Sequence, residues 1–120
     1  MERNLAIYLR THRRRWGLNE HELARLLGFK SGSHVSRLEH GQRQPTFPVI
    51  VACTLIFGVQ ANKLFPAIVH EVEEQTVRNA YELYLELQGD SSKATKIKLD
   101  LLEKVLARAE ARADEHGRRP

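Results

Sequence analysis

With a single cysteine, Cys53, the chain can form neither an intramolecular disulfide nor a four-thiolate metal site. Long hydrophobic runs are missing too. The longest, residues 49–57, is interrupted by Thr54 and falls far short of the ~20 residues a membrane span needs. Met1-Glu2-Arg3-Asn4 leads into no apolar signal core, so no secretory peptide is expected and the expected location is cytoplasmic. No glycine-rich phosphate loop appears, and no serine stands in a nucleophile context. Six histidines are present, but none has metal-ligand spacing to the cysteine or to a carboxylate cluster. His12 and His21 read as surface or boundary residues, and Cys53, inside an apolar helix, as a small core residue. No catalytic site, cofactor, metal or membrane partner is expected.

What the chain has is ordinary globular content, 42% hydrophobic and 28% charged over 120 residues, with a net charge of +4. The charge is unevenly laid out. Residues 1–66 hold ten Lys/Arg against four Glu, whereas residues 67–120 hold nine against eleven Asp/Glu. The basic excess therefore belongs to the first half, which suits a polyanionic partner for that half and a different task for the second.

Helical periodicity runs throughout. A first helix is predicted over residues 3–16, with Leu5, Leu9, Arg13 and Trp16 on one stripe, which puts Arg13 among apolar neighbours. A second spans 19–28: Asn19 caps it, Glu22 returns the bond, Gly28 closes it, and Leu23, Ala24 and Leu27 form its buried face. A third begins near residues 31–33 and ends at Gly41. With Val35 and Leu38 inward, its wheel turns Ser33, Ser36, Arg37 and His40 outward, His34 to the flank and Glu39 close to the buried side. Residues 46–58 are rich in β-branched side chains and read as a strand by propensity. A Thr46 cap, an early Pro48 and a closing Gly58 frame a helix of the right length instead, and that is the expectation. A short fifth helix is expected near 61–65. Residues 67–88 and 92–116 then form two long amphipathic patterns joined by a turn at residues 89–91. The second carries Leu99, Leu102, Leu106, Ala109 and Ala113 at three-four spacing, widened by Leu101 and Val105.

Two short helices joined by a turn, the second polar on its outer side, describe a helix-turn-helix. A short helix fits the ~12 Å major groove and presents its first turns to base edges, and Arg37 is long enough for a bidentate grip on guanine. Small residues at Ser31, Gly32 and Ser33 let the backbone approach, and hydroxyls near a helix amino terminus suit phosphates. Of Arg13-Arg14-Arg15, Arg13 is expected inside. Arg14 is a candidate phosphate contact, with a solvated charge run as the alternative. An arginine on a buried stripe needs a partner, and Glu39 is the carboxylate turned the same way, so Arg13 and Glu39 are expected to form a structural ion pair.

At these residues the sequence resembles the Cro/repressor-type (xenobiotic response element, lambda-repressor-like) helix-turn-helix regulators. The match lies in LNEHELARLLG followed by SHVSRLEHGQRQP and extends over residues 5–66. The resemblance implies a five-helix lambda-repressor-like helix-turn-helix domain, residues 1–66, and with the long C-terminal helical hairpin read from periodicity, residues 67–120, the expected fold is all-α. It implies double-stranded DNA as partner, base contacts from Ser33, His34 and Arg37, and phosphate contacts from Ser31, Ser36 and Arg43, with Lys30 beside them in the turn. It also pairs Arg13 with Glu39. Two departures stand out. Glu20 occupies a position where such proteins usually carry glutamine, a phosphate donor. The stretch from Gly28 to Gly41 is one residue longer than the common spacing, an insertion placed around Lys30.

A helical hairpin cannot bury both faces alone, and the helix at 46–58 is apolar nearly all round. The hairpin is therefore expected to form a homodimer, with Tyr81, Tyr84, Leu87, Leu102 and Leu106 as dimerisation residues. A monomer whose hairpin folds back is the alternative. The function expected is a sequence-specific DNA-binding transcriptional regulator, a repressor acting as a homodimer. Its rivals are an autoregulating antitoxin and a protein-interaction module that keeps the fold without binding DNA.

Overall fold

The computed structural model describes residues 7–117, with side-chain surroundings through Asp114. Among the described residues seven helices follow one another: α1 Leu9–Arg15, α2 Glu20–Leu27, α3 Gly32–Glu39, α4 Phe47–Phe57, α5 Ala61–Leu64, α6 Pro66–Leu87 and α7 Lys93–Gly117. There is no strand among the described residues. The chain divides into two compact units between His70 and Glu71. None of the described helices is long and apolar enough to cross a membrane.

In the first unit, α1 to α5 close around Leu9, Leu23, Val35, Leu38, Cys53, Leu64 and Phe65, all essentially inaccessible to solvent. The α1 expectation over residues 3–6, Leu5 included, lies outside the described residues, and Ile7 and Tyr8 precede the helix. The Tyr8 N–H donates to the Leu64 carbonyl at 2.8 Å, tying the start of α1 to the end of α5. Leu9 and Arg13 are buried, as their stripe requires, but Trp16 is 67% exposed. The reason is local. Trp16 has left the helix and forms its C-cap, and Gly17, at φ 74°, turns the chain away immediately after it.

In α4 the helix prevails over strand propensity. The Thr46 hydroxyl accepts the Val49 N–H at 3.4 Å, Pro48 sits in the first turn, and Gly58 closes the end at φ 69°. Its β-branched residues each cost about 0.5 kcal/mol of helix propensity. Burial of Val49, Cys53 and Phe57, at roughly 1.5–3 kcal/mol for a large apolar side chain, outweighs that cost. The opposite stripe, Phe47, Val51 and Leu55, is exposed. Burial pushes the Cys53 thiol up to about 11, so it stays protonated and inert at neutral pH.

The second unit holds most of α6 and all of α7. Tyr84 donates its hydroxyl to Glu103 at 3.2 Å, and Glu73 pairs with Arg112, which sets the two helices antiparallel. Ala80 and Leu102 are buried, with Val77, Tyr84, Leu87, Leu99, Leu106 and Ala109 half-buried in the same stripes. Of the five residues expected to meet a second copy, Leu102 is thus enclosed within its own unit. Tyr84, Leu87 and Leu106 share its inward stripe, and Tyr81 alone is exposed. In these stripes each helix of the unit lies against the other.

The turn into α7 is organised by Asp90. Its carboxylate accepts the Ser92 N–H at 2.9 Å and the Thr95 hydroxyl at 2.8 Å, while the Ser92 hydroxyl accepts the Thr95 N–H at 3.2 Å. The bond from the Ser92 backbone, and then that from Thr95, holds Asp90 below the usual carboxylate range. A lowered folded-state pKa means its contribution is complete above the unfolded value and is lost as pH falls through the folded one. The protection of the Ser92 and Thr95 amides, relative to their intrinsic exchange at each pH, should therefore fall as pH drops through and below the usual carboxylate range. Asp90→Asn should show weaker protection already at neutral pH, read by hydrogen exchange.

Candidate nucleic-acid interface

The interface candidate is built on α2, the turn after it, and α3. Asn19 accepts the Glu22 N–H at 2.8 Å and Glu22 returns the bond to the Asn19 N–H at 2.9 Å, so α2 begins with a complete capping box. Gly28 ends it in the left-handed region at φ 84°, and the Phe29 N–H reaches back to the Ala24 carbonyl at 2.8 Å. Phe29 and Lys30 form the turn. Ser31 then caps α3, its hydroxyl accepting the Ser33 N–H at 3.3 Å and lying 2.7 Å from the Ser33 hydroxyl. Val35 and Leu38 turn into the core.

Gly32 has a role other than easing approach to DNA. A Cβ there would lie 3.1 Å from the His21 nitrogen and 3.2 Å from the Glu20 carbonyl carbon and Cβ, mostly backbone atoms of the first turn of α2. The missing side chain lets α3 begin against α2 and so sets the angle between the two helices. Nothing in the spacing of Ser31, Gly32 and Ser33 distinguished this packing role. Gly32→Ala gains up to ~1 kcal/mol of helix propensity, less at a first helical position, against ~1–3 kcal/mol of overpacking. A net loss of about 1 kcal/mol is expected in urea titration, with a larger effect on DNA affinity than on stability because α3 must shift.

On the outer side of α3, Ser33 and Arg37 are exposed and lie one turn apart. Ser36 is half-buried, its hydroxyl 3.4 Å from His40 Nδ1. That same Nδ1 lies 2.7 Å from the Ser36 carbonyl. A carbonyl only accepts, so Nδ1 is the protonated nitrogen and the other ring nitrogen is left for solvent or a ligand. His34 is placed differently. Its ring meets Phe29 edge-on, centroids 4.8 Å apart at 81°, and its Nδ1 is buried with no protein partner. With Arg43 and Pro45 it lines a cavity of about 100 Å³, ample for an ordered water. Ser33 and Arg37 are therefore the pair most open to a base edge, with His34 recessed beside them.

Lys30, Ser31 and Arg43 are exposed at the two ends of α3. Arg14 is exposed on α1. Behind this surface Arg13 holds Glu39 with two bonds, Nε to Oε2 at 2.6 Å and Nη2 to Oε1 at 3.2 Å, and donates Nη1 to the Leu18 carbonyl at 2.9 Å. The hydrogen bond to Glu39 raises the Arg13 pKa further, so the guanidinium is charged at every working pH. Glu20 joins this cluster at the edge. One of its oxygens lies 4.0 Å from Arg13 Nη2, and Arg13 carries part of the countercharge that a carboxylate at this position needs. No group of three or more His, Cys, Asp or Glu side chains converges as a metal site among the described residues.

A family profile described as a helix-turn-helix domain matches residues 4–64. No curated protein and no solved structure matches the chain.

Proposed function

From the premise that this chain belongs to the helix-turn-helix domain family, we propose that it is a cytoplasmic, sequence-specific DNA-binding transcriptional regulator, a repressor acting as a homodimer. The observation that carries this reading is the outer side of α3. An arginine and a serine stand exposed one turn apart on a short helix whose amino end is anchored on α2, in the half of the chain that holds the basic excess. Arg37 grips a base edge, Ser33 contacts a neighbouring base, and the hydroxyls of Ser31 and Ser36 with Lys30, Arg14 and Arg43 hold the phosphates. The hairpin, residues 67–120, is the dimerisation module. A single short helix reads only a few base pairs. A two-fold pair reads two half-sites about 34 Å apart and multiplies the discrimination.

The test is binding of the purified protein to its own upstream DNA and to a scrambled duplex, followed by fluorescence anisotropy across a salt series. Affinity should fall steeply with salt on both and stay at least ~10³-fold tighter on the upstream fragment. Equal binding to both defeats the sequence-specific reading. One feature favours a protein-interaction module: the carboxylate of Glu20, 38% exposed, at a position where a phosphate donor is usual. Absence of binding at low salt selects that module.

A further inference from the structure

The chain's one tryptophan stands in water on backbone that is firmly held. Trp16 is 67% exposed, which leaves roughly 150 Å² of indole uncovered. The Trp16 N–H donates to the Arg13 carbonyl at 3.2 Å, the Gly17 N–H to the Arg14 carbonyl at 3.0 Å and the Leu18 N–H to the Arg13 carbonyl at 3.2 Å. The Leu18 carbonyl in turn accepts Arg13 Nη1 at 2.9 Å. The ring is therefore carried on a short loop tied back to α1 on both sides. A large aromatic side chain presented in this way gains nothing from the packing of its own unit.

Contacts of its neighbours say where that loop lies. Arg13 bonds Glu39, the last residue of α3, and its Nη2 is 4.0 Å from Glu20, the first residue of α2. Gly32, the first residue of α3, comes so close to Glu20 and His21 that a Cβ would lie 3.1–3.2 Å from them. Trp16 thus precedes, by at most about 14 Å of chain, the edge at which α2 and α3 both begin. Charge at the end of α1 favours an anion. Arg14 and Arg15 are both exposed, and neither forms an ion pair among the described residues. Glu20, the carboxylate that opens α2, has Arg13 beside it.

Resting on the DNA-binding function proposed above, we infer that Trp16 is a DNA-backbone anchor outside the helix-turn-helix itself. As α3 enters the major groove, the end of α1 meets the sugar–phosphate backbone at the edge of that groove. The indole packs on a deoxyribose and its Nε1–H, a donor only, bonds a phosphate oxygen. Arg14 and Arg15 supply charge next to it. A protein partner would use the ring and leave two guanidinium groups idle, whereas a polyanion uses all three side chains. The contact carries no sequence information, so it adds affinity for any duplex and leaves selectivity to Arg37 and Ser33.

A single tryptophan makes the contact directly readable by its own fluorescence. Labelled upstream and scrambled duplexes are titrated with the full chain, and anisotropy of the label reports binding while emission reports Trp16. Either duplex at saturation should roughly halve the quenching of Trp16 by acrylamide, because one face of the ring is covered. Trp16→Ala should weaken both duplexes by about tenfold, the loss of a hydrogen bond to a charged group. The upstream-to-scrambled ratio, the melting temperature and the salt slope should stay as they are, since a neutral donor displaces no counterion. Trp16→Phe should recover part of the loss, because the ring remains and the N–H does not. Arg15→Ala should lower the slope instead, by about 1 per copy. A duplex bound by anisotropy that leaves acrylamide quenching unchanged overturns this inference alone and gives the indole to a protein partner. Unchanged affinity of Trp16→Ala overturns it as well, a changed upstream-to-scrambled ratio overturns the backbone contact, and full recovery by Trp16→Phe overturns the hydrogen bond. Absence of any anisotropy change at low salt overturns the proposed function, and this inference falls with it.

Discussion

Arg37→Ala should leave a stable, dimeric protein that no longer tells its upstream DNA from a scrambled duplex. Arg37 is exposed and makes no side-chain bond among the described residues, so its removal costs the fold little. A bidentate arginine–guanine pair is worth about 1–3 kcal/mol of discrimination. A dimer engages it twice, giving roughly 2–6 kcal/mol in all. Anisotropy should show the loss mainly on the upstream fragment. The salt slope should be almost unchanged, because Lys30, Arg14 and Arg43 remain to displace counterions. Arg37→Lys should rescue poorly, since an ammonium lacks the planar fork. Arg43→Ala should do the reverse, weakening both duplexes alike and lowering the slope by about 2 per dimer, one charge for each copy. If the preference survives Arg37→Ala, base reading does not run through the outer face of α3.

The helix boundaries around this face were legible because each is decided by a few neighbouring residues. Asn19 with Glu22, Gly28 and Thr46 with Gly58 are signals that act over one turn of chain. They prevailed even in α4, where side-chain propensity pointed to a strand. What was not legible depends on which surfaces meet. Trp16 continues the α1 stripe in spacing, yet the helix ends one residue earlier and the ring is left in solvent. Gly32 reads as a small residue facing DNA, while its constraint is the backbone of α2. Leu102 and Tyr84 read as part of a seam for a second chain, and within the unit they also lie against the antiparallel neighbour, which spacing alone did not show. The stripe left over, Ile97 and Leu101, was visible in the sequence only as a widening of the pattern. Periodicity gives the phase of a helix; it does not say which partner will occupy each side.

The outer face of α3, proposed above to read DNA, depends on a buried pair behind it. Arg13→Ala should destabilise the first unit by about 3–5 kcal/mol, the cost of leaving a buried carboxylate without its counterion. The Glu39 side chain is only 1% exposed, so water cannot take the place of the guanidinium, and the Leu18 carbonyl loses its donor as well. The lower end of that range is the expectation, because Glu20 at the margin of the cluster is 38% exposed and solvent reaches its rim. Thermal unfolding should show a fall of well over ten degrees for a unit this small. Removing both charges tests the cause. Arg13→Leu with Glu39→Leu keeps apolar volume in place of the pair and should recover most of the stability, since a well-packed replacement for a buried ion pair is often neutral. Function should part from stability in that double variant. The two hydrogen bonds join the middle of α1 to the last turn of α3 and fix the azimuth of α3. Leucines at the same positions restore cohesion without a preferred geometry. The double variant should therefore melt near the wild type yet discriminate less between upstream and scrambled DNA, with Arg37 still present. Equal discrimination would assign the pair to stability alone.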